Sequence, residues 1–332
     1  MDKIKKIFNM VVDQLTDMTL MVVDVKDRGP AASGSPYVTA DLFDGQKKVP
    51  VNFFENTVET LAKQGLVEDA IISIKLRKTI GKSANSFYYN QEGWALNTNP
   101  TITAADFKHM APINPDTNFD WLIEQVKAVD SNPDCIGPYK SISYLTQELL
   151  KENEEAFKRS SAAVTMHHNF LSGLLYHTVR MVSMAERTCE TYKSLDKELL
   201  ICATALHDIG KVSCYDTKDV GESEITVEGR LLDHAVVGIM MIHDASKKNL
   251  YNPEKIQMLE HMLASHHGKK EWDAITTPAF PEAEMLHLID MIDSRMNMFE
   301  EAYKGQLPGT ISEEKVYGLE NSVIYKPSYS EM

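Results

Sequence analysis

Ten of the eleven histidines lie from His167 to His287, and this stretch carries ligand-type residues in a repeating order: His177, the pair His207-Asp208, His234, the pair His266-His267, and Asp290. Imidazole and carboxylate donors without cysteine suit Mn, Fe, Co, Ni or Zn and argue against a structural thiolate site. A lone histidine on an apolar face is ordinarily a hydrogen-bonded core residue, but five such groups in one stretch point to convergence. Helical phase agrees. Ile256, Leu259 and Leu263 share a face that His266 continues, and Asp290 sits at the edge of the stripe containing Leu286 and Ile289. A carboxylate there is strongly penalised unless paired or metal-bound. His207 and Asp208 end the apolar run Leu199 to Ala203, with Gly210 placed to terminate that helix.

Each group falls on its own predicted helix, and ligands from separate helices can meet inside a bundle. Helices are expected at about 164–192, 196–209, 230–248, 253–267 and 281–303, with no strands among them. Before residue 100 the pattern is different. Thr19 to Lys26, Tyr37 to Phe43, Lys48 to Phe54, Ala70 to Thr79 and Ser86 to Leu96 are β-rich runs, and one helical insert, Thr57 to Gln64, falls between the third and fourth. Five strands in that order make an OB-fold barrel, a partly open Greek key that commonly binds oligonucleotides. The expected class is therefore α+β with two domains: an N-terminal five-stranded OB-fold β-barrel over 1–100, a helical connector over 101–160 packed on the next domain, an all-α helical bundle over 161–304, and an extended C-terminal tail over 305–332.

The bulk properties narrow the function. The chain has 332 residues, 43% hydrophobic and 25% charged, with a formal net charge of −14. That is an ordinary globular composition, with a field that opposes broad electrostatic capture of nucleic acid. Four scattered cysteines without a C-x-x-C pair exclude a disulfide scaffold, a zinc ribbon and a thioredoxin-like site. The N-terminus lacks a signal-peptide pattern and no run of about 18 apolar residues offers a membrane span, so a cytoplasmic protein is expected.

Five segments sharpen the ligand pattern. His167 to Thr178 (HHNFLSGLLYHT), Leu206 to Lys211 (LHDIGK), Glu228 to His234 (EGRLLDH), Ser265 to Gly268 (SHHG) and Leu288 to Asp293 (LIDMID) together resemble the YhaM-type 3'-to-5' exoribonucleases, which join an OB-fold to an HD metal-dependent phosphohydrolase domain. The resemblance runs from the barrel to about Asn297. It departs at Ser172-Gly173, where the family tends to carry Gly-Gly, and at Tyr176, where it tends to carry an acid. The resemblance implies one or two divalent ions per chain, with Mn²⁺, Fe²⁺ or Co²⁺ preferred and Zn²⁺ or Ni²⁺ also compatible. His177, His207, Asp208 and Asp290 would hold one, and Asp208 would bridge to a second held by His234 and one or both of His266 and His267. Such an ion activates water and polarises the scissile phosphate. Asp208 and Lys211 are the expected catalytic residues, Lys211 neutralising the phosphate or orienting the water. His168 is expected to touch substrate, and Asp293 to be either a residue that orients a ligand or a helix-surface acid.

The barrel would hold single strands by stacking bases on aromatics, with a few cations along the backbone. Tyr37, Phe43, Phe53, Phe54, Phe87, Tyr88, Tyr89 and Trp94 are the aromatic candidates, about half of them inward-facing by strand alternation. Lys47, Lys48 and the group Lys75, Arg77, Lys78 and Lys82 are the cationic ones. Tyr37, Phe54, Lys75, Arg77 and Lys78 are the leading substrate contacts. The expected partner is single-stranded RNA or DNA, with self-association through the tail as a further expectation. The competing reading is an HD phosphohydrolase of small nucleotides that uses the barrel as an interaction module.

Overall fold

Alternation of apolar and polar residues builds the N-terminal unit. In the computed structural model, which describes all residues except 1–2, 32, 82–86, 135, 164–167, 220, 222, 313–314 and 330–332, five strands close a barrel. They are β1 (Leu15–Pro30), β2 (Pro36–Phe43), β3 (Lys48–Phe54), β4 (Ile71–Ile80) and β5 (Phe87–Leu96), in the order β1-β2-β3-β5-β4. The short helix α1 (Val58–Lys63) sits between β3 and β4, started by a reciprocal cap between Thr57 and Thr60. All pairings are antiparallel except β3 with β5, where Val51 lies opposite Tyr89. On β3, Val49, Val51 and Phe53 point inward and Lys48, Pro50, Asn52 and Phe54 outward, the period of two that an OB-like barrel requires.

The chain forms two compact units, Met1–His109 with Glu300–Met332, and Met110–Phe299. The segment from 305, expected as an extended tail, instead carries a small hairpin of β8 (Thr310–Ile311) and β9 (Tyr325–Lys326), buries Leu319 and Ile324, and belongs with the barrel unit. Apolar positions in it are too widely spaced to show periodicity, which is why the sequence reads as a tail.

The second unit is helical: α2 (Pro115–Ala128), α3 (Ile142–Glu152), α4 (Glu154–Arg159), α5 (Gly173–Thr191), α6 (Lys197–Leu206), α7 (Lys211–Cys214), α8 (Val227–Leu232), α9 (His234–Ser246), α10 (Pro253–Ser265) and α11 (Pro281–Tyr303). Side-chain caps from Asn114, Ser141, Asp196 and Asn252 start α2, α3, α6 and α10. Phe119, Leu145 and Phe157 from the 101–160 stretch share one core with Leu174, Met181 and Leu200.

Three expectations for this unit are corrected. It is not wholly α: a hairpin of β6 (Tyr215–Thr217) and β7 (Ser223–Ile225) stands between α7 and α8, too short to leave a pattern. The helix expected from 164 begins only at Gly173, because Ser172 takes a left-handed backbone. The helix expected over 230–248 is two, broken at Asp233, whose φ is +67°. No helix among the described residues is long and apolar enough to cross a membrane.

Candidate metal centre

Asp208 follows His207 in the turn that leaves α6, so both side chains enter the bundle together. The two oxygens of the Asp208 carboxylate face different histidines. Oδ2 lies 3.1 Å from His207 Nε2 and 3.9 Å from His177 Nε2. Oδ1 lies 3.3 Å from His234 Nε2 and 3.8 Å from His266 Nε2. Asp290, from α11, joins the first group with Oδ1 at 3.3 Å from His177 Nε2. Ligand atoms of His234, His266 and His267 gather within 4.8 Å of one another, as do those of His177, His207 and Asp208.

The other ring nitrogen of four of these histidines explains why their Nε2 atoms point inward. Nδ1 of His177 lies 2.7 Å from Asp293 Oδ2, that of His207 2.8 Å from the Thr204 carbonyl, and that of His266 2.6 Å from the Leu263 carbonyl. His234 Nδ1 lies 3.1 Å from Asp233 Oδ1. An acceptor at Nδ1 keeps the proton there and leaves the Nε2 lone pair for a cation. For His207 and His266 the acceptor is the carbonyl three residues back, so the helix ends themselves set the tautomer.

Whether a divalent cation suits these groups can be judged from their unmet needs. Asp208 Oδ1, His234 Nε2 and His266 Nε2 are buried and complete no hydrogen bond. A buried polar atom left so costs about 1–3 kcal/mol, and a cation shared by Nε2 atoms and carboxylates would satisfy all three. The donors are imidazoles and carboxylates with no thiolate, which fits a divalent ion.

The carboxylates and the His266-His267 pair already have the protonation that a cation requires. Burial opposes charge on Asp208, but His207, Lys211 and His234 hold it well below the usual carboxylate range. Asp290 is half-buried, and although burial opposes its charge too, His177 holds it far below that range. Burial lowers His266 and His267, and each is further lowered by a neighbouring histidine. Burial also works against His177, yet Asp290 and Asp293 raise it from 6.5 to about 9. Against the same burial, Asp208 and Asp233 raise His234 as well, so the carboxylates stand ionised and a cation entering here would displace protons from these two imidazoles, which ligate only when neutral.

The structure brings together His177, His207, Asp208, His234, His266, His267 and Asp290. Both members of the adjacent pair reach the second group: His266 caps α10 and is buried, and His267 follows it at a ring separation of 4.1 Å. Lys211 is buried, with Nζ 2.7 Å from Asp208 Oδ2. Asp293 is no surface acid. At 1% exposure it binds His177, His168 and Arg180 at once.

His168 is a correction. Expected to touch substrate, it is fully buried, with Nε2 2.7 Å from Asp293 Oδ2 and its backbone N–H donating to Asn297. Because α5 starts after it, the preceding loop turns it inward. Gly210 is another. Its φ is −62°, not left-handed, and a Cβ there would meet the His234 carbonyl at 2.0 Å. Its smallness lets the N-terminus of α9 press against the Asp208 turn, a close approach that sequence cannot show.

In the barrel unit, Tyr37 and Phe54 lie opposite each other on β2 and β3 and stack at 5.6 Å, with Phe54 56% exposed. Tyr88 is exposed and Tyr89 buried, as alternation demands. The cationic group is mostly not a surface patch. Lys78 is buried with its ammonium 4.0 Å over the Phe87 ring, and Arg77 is engaged by Glu92 at 2.6 Å and by the Asp13 carbonyl at 2.7 Å. Lys75 is exposed; Lys82 lies outside the described residues. The phase Ile72, Ile74, Leu76, Lys78 already contained the signal for Lys78 facing inward.

Sequence reasoning missed two groups near the centre. His287 Nδ1 lies 2.9 Å from the His266 carbonyl, with its ring where Gly268, at φ +78°, leaves room. Asp233 was read only as part of a motif. Neither has a spacing that marks it.

The HD domain family model matches residues 174–296, the stretch that holds every one of these ligand-type side chains. Over 331 residues, 98% of this chain and 96% of the relative, the sequence is 31% identical to a protein of Geobacillus sp. (strain WCH70) named 3'-5' exoribonuclease YhaM. It is 38% identical over 224 residues, 68% of this chain and 67% of the relative, to a protein of the same name from Shouchella clausii (strain KSM-K16). Matched over nearly its whole length by one YhaM protein, with the histidine and aspartate side chains of its HD region gathered at one point, the chain belongs to the YhaM family.

Proposed function

We propose that this chain is a metal-dependent 3'-to-5' exoribonuclease that hydrolyses phosphodiester bonds of single-stranded RNA, with single-stranded DNA as a second substrate. The observation that carries the reading is Asp208, whose two oxygens face two separate sets of imidazole Nε2 atoms. We assign His177, His207, Asp208 and Asp290 to one cation and Asp208, His234, His266 and His267 to a second, with Mn²⁺, Fe²⁺ or Co²⁺ as the ions. A divalent cation held there supplies Lewis acidity toward the scissile phosphate and toward water at neutral pH.

The chain's own residues do the rest. Asp293 and the Thr204 and Leu263 carbonyls keep protons on Nδ1 of His177, His207 and His266, so Nε2 stays basic. Lys211 balances the charge of Asp208. Asp290, whose side chain is 16% exposed, stands at the more open edge of the centre, where a phosphate approaches. The Tyr37–Phe54 pair offers an aromatic face on which bases stack, with Lys75 beside a passing backbone. Cys189, Cys202 and Cys214 are buried and unpaired, which supports a cytoplasmic location. Self-association is checked by light scattering.

The test is a 5'-labelled oligoribonucleotide incubated with the full chain and Mn²⁺. Stepwise shortening from the 3' end is expected, and H207A and D208A should each abolish it. Hydrolysis of dinucleotides with oligomers left intact would favour the small-nucleotide phosphohydrolase.

A further inference from the structure

Among the four ligand-type histidines described above with an acceptor at Nδ1, His234 is held differently. His177, His207 and His266 rely on a buried carboxylate or on backbone carbonyls. His234 relies on the residue immediately before it, whose side chain is 54% exposed. Asp233 reaches that position through a backbone at φ +67° and ψ 152°, a region that favours glycine and is strained for a residue with a Cβ. From there its Oδ1 does two things. It accepts the Ala235 N–H at 2.9 Å, capping α9, and it lies 3.1 Å from His234 Nδ1. His234 is the first residue of α9, so its backbone alone offers the ring no carbonyl of the kind that serves His207 and His266 three residues earlier in their helices. The opposite nitrogen, Nε2, is one of the buried atoms that complete no hydrogen bond, 3.3 Å from Asp208 Oδ1.

We infer that Asp233 is a positioning residue for the second cation: its strained backbone places an acceptor against His234 Nδ1, which fixes the ring so that Nε2 faces Asp208. This rests on the two-cation reading given above. Capping alone does not account for the residue, since glycine at a helix N-cap is only slightly worse than aspartate and would be at ease at this φ.

That difference supplies the experiment. Chelator-stripped full-length wild type, Asp233→Gly and Asp233→Asn are titrated with Mn²⁺ by calorimetry, with metal content checked by elemental analysis and thermal unfolding followed in chelator. Asp233→Gly is expected to unfold at or above the wild-type temperature, because strain is relieved, yet to bind one of two Mn²⁺ ions about 10- to 100-fold more weakly, the usual effect of removing an orienting partner. Asp233→Asn keeps an acceptor oxygen and a side chain of the same shape under the same backbone strain, so it is expected to stay within about threefold of wild type. Two ions bound by Asp233→Gly with wild-type affinity would overturn the inference, as would an equal loss in Asp233→Asn. Wild type that takes up no Mn²⁺ would instead reject the two-cation reading, and the inference with it.

Discussion

Asp293 Oδ2 and His177 Nδ1 lie 2.7 Å apart, with each side chain at 1% exposure. The same oxygen is 2.7 Å from His168 Nε2, and Oδ1 is 2.5 Å from Arg180 Nε. One carboxylate from α11 therefore holds three cationic or dipolar groups from the loop and helix around α5. Asp293→Ala strands all three. It is expected to destabilise the chain by about 3–5 kcal/mol, the usual result of breaking a buried ion pair from one side. Asp293→Asn keeps the volume and is expected to fold, but to bind Mn²⁺ about 10- to 100-fold more weakly, because a single amide oxygen cannot serve His177, His168 and Arg180 together. Denaturant unfolding and calorimetric titration measure the two effects separately.

Lys211 is tied to Asp208 at 2.7 Å and buried, which separates two roles. If its ammonium balances Asp208, Lys211→Met should lower metal retention after dialysis and reduce kcat by about 10²-fold, with KM for RNA little changed. A KM increase alone, with metal content intact, would restore the phosphate contact that the sequence suggested.

On the barrel, the two aromatics and the cations should behave differently. Phe54→Ala is expected to raise KM for a long oligoribonucleotide by about 10-fold or more, since a base stacked on an aromatic ring is worth about 1–3 kcal/mol. Dinucleotide hydrolysis should be unchanged. Lys75→Ala is expected to reduce binding modestly and to flatten its salt dependence. Lys78→Ala should show neither effect and lower the unfolding temperature instead, because its ammonium lies over Phe87 inside the barrel wall.

His109 is half-buried, and that burial, with Lys304 and Lys6 adding to it, depresses its pKa from 6.5 to about 4. Between those values the unfolded chain binds a proton that the folded chain does not. The stability it contributes is present above about pH 6.5 and is lost as pH falls toward 4. His109→Gln should therefore shallow the acid limb of unfolding by up to one proton per molecule. Chemical unfolding in chelator from pH 7.5 to 4.5 checks it, the chelator removing metal release from the comparison. An unaltered acid limb would count against a neutral His109 in the folded chain.

Much of the site is legible in residue types. Only nitrogen and oxygen donors of histidine and aspartate meet the needs of a divalent cation at this place, and they recur once per helix, so His177, His207-Asp208, His234, His266-His267 and Asp290 stand out before any fold is known. The barrel is legible for a similar reason: alternation in five short runs around one helical insert admits few topologies. Neither pattern carries the partners that make the ligands effective. Carbonyls of Thr204 and Leu263 have no side-chain signature, and the Asp293 contact with His168 joins positions far apart in the chain.

Tertiary structure decided what close approach decides. Gly210 reads as a helix terminator until the His234 backbone is found against it. His168 reads as a substrate contact until α5 is seen to begin after Ser172, which turns the loop inward. Asp233 reads as one letter of a motif until its φ of +67° places it beside an imidazole. The sequence by itself determined which atoms could bind a cation and which strands could close a barrel, because both follow from chemistry and local periodicity. Which nitrogen of each ring faces inward, and which charges are already neutralised, depend on packing between segments distant in the chain, and only the folded structure supplies that.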